Sequence, residues 1–310
     1  MRSGGSCGSC VLSRSRDRTS SSDRTTAVTT KLAGYRVYSF IIADADASRE
    51  WPERRRQVRR EFLSDGRRMS FKNMNDRQRR QALIPFLEAA EYLEGHVVSV
   101  VVTKDLGRLS TGTDSMAVWQ RLYGLQARWD VKAFEQMVRV AHFFSLFLSA
   151  WSAKGMDVSW ITDDDQIVAN ADRLEDAHQF AARMTWLYVP HQLGEFMMNT
   201  VAVDGEERGI EDLLAIPDLA AGMLAEVVGA PSADPAHPKR RLFKDEGLSI
   251  KSEIISDWFW HCGGCLKKTC ILIDRAGQGG FGLAELRREQ TPPHKGVAPD
   301  DRSPSAPARR

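Results

Sequence analysis

"SFIIADADAS", residues 39–48, decides how this chain is read. Phe40-Ile41-Ile42 has the composition of a core strand, yet it runs straight into two aspartates, Asp44 and Asp46, with only Ala45 between them. A carboxylate at the edge of a core is costly unless it is paired, hydrogen-bonded or metal-bound. On extended backbone, residues two apart point to the same face. A reading of the chain therefore has to say what these two acids do.

Outward from this strand, apolar periodicity alternates between two types. Residues 35–43 read as a strand by β-branched and aromatic content. "WPERRRQVRREFL" starts with Pro in a helical position and reads as a helix. "RRMSFK" reads as a short strand, and Asp76 as the N-cap of "RQRRQALIPFLEAAEYL", with Pro85 inside it. "HVVSVVVT" reads as a central strand. Asp130 caps a long helix in which Phe134, Met137, Val138, Ala141, Phe144 and Leu148 recur at helical spacing. "DVSWIT" follows as a strand, "RLEDAHQFAARMTWLYV" as a helix, "EFMMNTVAV" as a strand and "IEDLLAIPDLAAGMLAEVV" as a helix. Such alternation predicts an α/β layer fold, a mixed sheet flanked by helices.

Composition divides the rest. Residues 1–33 are rich in Ser, Thr, Arg and Gly and read as a disordered tail, as do residues 289–310. The body spans 34–228, "GAPSADPAHPKRR" (229–241) is a Pro-rich linker, and 242–288 is a β-containing appendage. In the appendage "LSIKSEII" and "KKTCILID" both alternate like strands, and they either extend the same sheet or form a flap. With 42% hydrophobic and 27% charged residues in 310, the chain has the balance of a soluble protein. No apolar run approaches the roughly 20 residues that span a bilayer, so a cytoplasmic protein without a membrane partner is expected. A net charge of +2 says nothing about partners.

The five cysteines include two CxxC pairs, Cys7/Cys10 and Cys262/Cys265, with His261 and Cys270 beside the second. About 250 residues separate the pairs and the first lies in the tail, so ordinary cysteines are expected rather than a zinc site. Trp258 and Trp260 read as packing residues, His142 and His191 as structural, and "GQGGFG" as a hairpin turn.

Further acids lie at other element ends. Asp163 heads Asp163-Asp164-Asp165 after "SWIT", Asp218 sits in "AIPDLAAG", and Glu135 lies beside the apolar stripe of the long helix. If the strand ends are neighbours, these acids converge. A converged cluster repels itself unless a hard cation such as Mg²⁺ or Mn²⁺ is bound. Two such ions can activate water and stabilise the leaving oxygen of a phosphodiester. The plainer alternatives are a solvated loop for Asp163, turn formation for Asp44 and Asp46, and capping after Pro217 for Asp218. Glu211 and Asp212 read as acids favoured at a helix N-terminus.

"ADADAS", "WITDDDQI" and "PDLAAG", in this order, resemble the ribonuclease H-like superfamily over residues 35–228, most nearly an uncharacterised bacterial domain family from mobile and defence contexts. The resemblance implies a metal-dependent nuclease with Asp44 or Asp46, Glu135, Asp163 and Asp218 as catalytic residues, of which Asp44, Asp46, Asp163 and Asp218 hold the metal. It also implies the alternative of a catalytically inactive binding protein on the same scaffold. The chain departs from that family in the helical stretch after its first strand and in having Asp-Ala-Ser there.

A second signal is independent of the acids. Arg54 to Arg80 contains ten arginines and one lysine, Lys72. Arginine suits bidentate phosphate contact, so DNA or RNA is the expected partner, with Arg55, Arg59, Arg67, Arg68 and Lys72 as contacts. The competing reading is a solvated Arg-rich helix pair, since Arg outnumbers Lys throughout.

Overall fold

The computed structural model describes residues 10–16, 34–109, 113–162, 167–201, 204, 208–227, 232–237, 239–243, 247–261, 263–275 and 280–289. Nine strands and seven helices occur among them, and the α/β expectation holds. The strands are β1 (Cys10–Arg16), β2 (Tyr35–Ala43), β3 (Gly95–Thr103), β4 (Val158–Thr162), β5 (Phe196–Thr200), β6 (Ser232–Ala233), β7 (Arg240–Phe243), β8 (Leu266–Arg275) and β9 (Phe281–Arg288). The helices are α1 (Trp51–Phe62), α2 (Arg77–Ala90), α3 (Thr113–Tyr123), α4 (Val131–Trp151), α5 (Ala171–Tyr188), α6 (Gly209–Val227) and α7 (Ile250–Trp260).

Seven strands form one mixed sheet in the order β1-β2-β3-β8-β9-β7-β6, and β4 and β5 form a parallel pair. β2 and β3 are antiparallel with Ser39 opposite Ser99, and their buried hydroxyls meet at 2.7 Å on the face that also carries Val37, Ile41, Val97 and Val101. Strand alternation divides the core in two. Val37, Ile41, Val97 and Val101 face one way, onto α1, α2, α6 and α7. Tyr38, Phe40, Ile42, Val98 and Val100 face the other way, onto α4, α5 and the aromatic side of α3. α6 is buried on nearly every side, in keeping with its almost continuous apolar sequence.

Four local readings change. Residues 10–16, assigned by composition to the tail, pair antiparallel with β2. "RRMSFK" is irregular rather than a strand. "LSIKSEII" enters α7, and "KKTCILID" is β8, which pairs parallel with β3. The C-terminal segment thus extends the main sheet instead of forming a flap. α3, which no periodicity argument singled out, covers the second face through Met116, Trp119 and Tyr123. No helix among the described residues is long and apolar enough to cross a membrane.

Candidate functional site

Asp44 ends β2 in an Asx turn. Its Oδ1 accepts the N–H groups of Asp46 (2.9 Å) and Ala47 (3.0 Å), and its carbonyl accepts the Ser48 amide and hydroxyl. Ser48 Oγ in turn accepts the Glu94 amide at 3.0 Å, and Asp44 N–H donates to the Glu94 carbonyl, which ties this turn to the entry of β3. Asp46 is exposed. The pair that opens the sequence question therefore ends a strand by turn chemistry.

Glu135 is buried on α4. Its Oε1 accepts the Leu109 amide at 2.7 Å and Arg139 Nε at 2.8 Å, while Arg139 reaches the Gly107 carbonyl at 2.7 Å. This i,i+4 pair fastens the 107–109 turn to the helix. Asp218 is 1% exposed and accepts the Phe71 amide at 2.9 Å. One turn further on, Gly222 lies under the Phe71 ring so closely that a Cβ there would sit 2.1 Å from Cγ. Lys251 closes the junction from α7, with Nζ 3.9 Å above the Phe71 ring and 3.2 Å from its carbonyl oxygen. Asp218 thus anchors the loop that leads into α2.

These carboxylates do not meet. Glu135 sits on the α4 side of the sheet and Asp218 on the α6 side. Ala43 and Ala45, on either side of Asp44, line a pocket with Gly209, Ile210 and Leu213 at the start of α6, and Asp218 is five residues, about 7.5 Å of helix rise, beyond Leu213. Asp163 lies outside the described residues. Among the described residues, no group of three or more His, Cys, Asp or Glu side chains is placed to hold a metal ion.

The arginine run separates into paired and displayed groups. Arg55 is 2% exposed and donates to Asp212 Oδ2 at 3.1 Å, while Arg59 binds both oxygens of the same carboxylate at 2.6 and 2.7 Å. Arg67 pairs with Asp65 and Asp76, and Arg68 lies 4.0 Å from Glu211. Arg79 pairs with Asp76 and donates to the Arg68 carbonyl at 2.7 Å. Burial pushes the Asp76 carboxyl upward, but the Arg79 amide and guanidinium and the Arg67 charge outweigh it and hold it below its ordinary value. Of the residues expected as nucleic-acid contacts, Arg55 and Arg59 are thus held by the buried Asp212, whereas Arg67 and Arg68 are half-buried and ion-paired at the surface. Asp212, expected as a dipole-favouring surface acid, is instead the buried anion of this network.

Lys72, Arg77 and Arg80 differ. All three are exposed, and none has a carboxylate partner within 4.0 Å among the described residues. Lys72 follows the anchored Phe71. Arg77 and Arg80, three apart, share one face of the first turn of α2. Cations in a first turn oppose the helix dipole, so this placement does not stem from helix stability. It displays three positive side chains next to a helix start whose amides Asp76 already caps, so any attraction for anions comes from the side chains. Lys72 was singled out in the sequence; Arg77 and Arg80 stand out only once the paired arginines are subtracted.

The remaining motifs are structural. Cys270 is fully buried in β8, and burial pushes its thiol up. Cys265 is exposed, and its hydrogen bond to Glu94 raises its thiol pKa, which removes thiolate character. Cys7 and Cys262 lie outside the described residues. Trp258 and Trp260 pack against the α6 side of the core, with Phe259 wholly inside. His142 bonds to the Tyr188 hydroxyl (3.0 Å) and His191 to Ser152 (3.0 Å). No protein-family model, curated protein or solved structure matches the chain.

Proposed function

We propose that this chain is a nucleic-acid-binding protein, built on a ribonuclease H-like scaffold whose described carboxylates serve the fold. The observation that carries the reading is the contrast between Arg55 and Arg59, which are held by Asp212, and Lys72, Arg77 and Arg80, which face solvent on one loop and helix start. The antiparallel β2–β3 pair, the parallel β4–β5 pair and the helices on both faces support the scaffold assignment. Free Cys265 and Cys270 accord with a reducing, cytoplasmic setting.

Three phosphate contacts give a salt dependence, log K against log [salt], of about −2.7 for duplex and about −2.1 for single strands. Fluorescence anisotropy with labelled duplex DNA, single-stranded DNA and RNA over a salt series measures it. The combined Lys72→Ala, Arg77→Ala, Arg80→Ala variant should lose most of that slope, whereas Arg55→Met should retain it. Equal slopes in wild type and the triple variant would remove the proposal.

A second reading, cleavage of the bound strand with Mg²⁺ or Mn²⁺, is favoured by the three consecutive acids, Asp163 to Asp165, that follow Thr162 at the end of β4. Calorimetric titration of Mn²⁺ into wild type and Asp163→Asn decides it. Binding that is lost in the variant supports the second reading, and absence of binding in wild type ends it.

A further inference from the structure

Exposure along α2 follows helical spacing. Arg77, Arg80, Gln81 and Ile84 are all exposed and stand at i, i+3, i+4 and i+7, which places them on one face. Ala82, Leu83, Phe86 and Leu87 are buried in the core on the opposite side, so this face is turned to solvent. The fold makes no use of it. Arg77 and Arg80 have no carboxylate partner among the described residues, and the Gln81 side-chain amide makes no hydrogen bond there. Ile84, 51% exposed, adds a branched apolar group to a cationic surface, which phosphate contact alone does not call for. One turn further on Glu88 is exposed, and its charge repels a phosphate backbone, so the usable face ends at Ile84.

The dimensions and charge of this face match one kind of partner. From Arg77 to Ile84 the helix rises about 10.5 Å, the height of about three base pairs. A helix about 10–12 Å across fits the major groove of B-form DNA, which is about 12 Å wide. The deep, narrow major groove of an A-form RNA duplex is closed to side-chain readout. Lys72 is fixed beside the helix start, because Phe71 is held by Asp218 and Lys251. In such a groove Lys72, Arg77 and Arg80 meet phosphates, while Gln81 and Ile84, further along the helix, reach base edges. A glutamine amide pairs with N6 and N7 of adenine, and an aliphatic group packs on the thymine methyl. The two residues are about 4.5 Å apart along the helix axis, close to one base-pair step of about 3.4 Å.

We propose that α2 enters the major groove of duplex DNA, with Gln81 on an adenine and Ile84 on the thymine methyl of a neighbouring A·T pair. This inference rests on the nucleic-acid-binding reading above and adds sequence preference to it.

Selection of randomised DNA duplexes by the full chain tests it. Wild type should enrich sites with adjacent A·T pairs, and the double variant Gln81→Ala, Ile84→Ala should enrich none. Both residues are exposed, so the variants should melt with wild type. Within the enriched site, uracil in place of thymine removes one methyl and should weaken wild-type binding about fourfold. In the same site 7-deazaadenine removes N7 and should weaken it about fivefold. The uracil effect should vanish in Ile84→Ala and the deaza effect in Gln81→Ala. Salt-dependent binding by wild type without any enrichment would overturn the proposal and leave the phosphate-contact reading standing. So would equal enrichment by the double variant, indifference to both base analogues, or tighter binding to duplex RNA. Absence of salt-dependent binding to every strand would remove both.

Discussion

Asp212→Asn should be among the most destabilising single changes in this protein. In the folded chain one carboxylate, 1% exposed, receives three guanidinium N–H groups, one from Arg55 and two from Arg59, at 2.6 to 3.1 Å. The amide keeps the shape but removes the charge that Arg55 and Arg59 share, although Arg59 keeps its pair with Glu211 at 3.6 Å. Breaking a buried ion pair from one side costs about 3–5 kcal/mol, most of it the penalty of the uncompensated charge. With a urea dependence of about 3 kcal/mol per M, the unfolding midpoint should fall by about 1–1.7 M. Arg55→Met should cost far less, because Arg59 still holds Asp212 through two bonds and the apolar replacement fits a buried site. The triple variant Asp212→Leu, Arg55→Met, Arg59→Met should regain most of what Asp212→Asn loses, since well-packed apolar groups can match a buried ionic triad. The assay is urea unfolding followed by far-UV circular dichroism. An Asp212→Asn midpoint within about 0.3 M of wild type would refute the reasoning. So would an Arg55→Met loss as large as that of Asp212→Asn.

Three other outcomes follow from the same contacts. Gly222→Ala forces the Phe71 ring off α6 and should cost about 1–3 kcal/mol by overpacking, read as a lowered melting temperature. Asp176, 2% exposed, accepts the amides of Gln126 and Ala127 and the indole N–H of Trp129 at 2.8 to 2.9 Å. Asp176→Ala strands those donors and should cost on the order of 3 kcal/mol, with a change in tryptophan fluorescence as Trp129 is released. Burial lowers the pKa of His96, where Lys267 adds to the effect, and of His142. The unfolded chain therefore takes up protons first: stability from these groups is complete above about pH 6.5 and declines as pH falls below it. Urea midpoints between pH 7.5 and pH 5 should show that decline, with a shallower one in His96→Gln, His142→Gln; an unaltered slope would rule out these two groups as its source.

The fold was legible wherever apolar spacing and burial agree. β2, β3, α4 and α6 follow directly from their periodicity, and the Asp76 and Asp130 caps were readable because each accepts amides two or three residues on. α7 was misread because its inward face is not its apolar face. Ser252 and Ser256 are buried beside Ile255 and Phe259, whereas Ile250 is 77% exposed. Burying two hydroxyls on helix spacing left an alternating pattern that imitates a strand. Of the acids, Glu135 could have been recognised by Arg139 one turn away. Asp218 was rightly singled out as an acid in an apolar setting, but its partner is a backbone amide 147 residues distant, which no local pattern reveals. For the arginines, Asp212 selects which cations are structural, and that choice depends on α1 meeting α6.

The position of β8 also sets a condition on folding. Val97 of β3 lies opposite Lys268, and β8 separates β3 from β9, so the middle of the sheet stays incomplete until residues 266–275 arrive. During synthesis residues 104–265 emerge with one border of β3 unpaired, a valine-rich template for other chains. Pairing at such separation is slow relative to local structure. A chain stopped after the Pro-rich stretch at 229–241 should therefore associate through that open border rather than persist as a smaller independent unit.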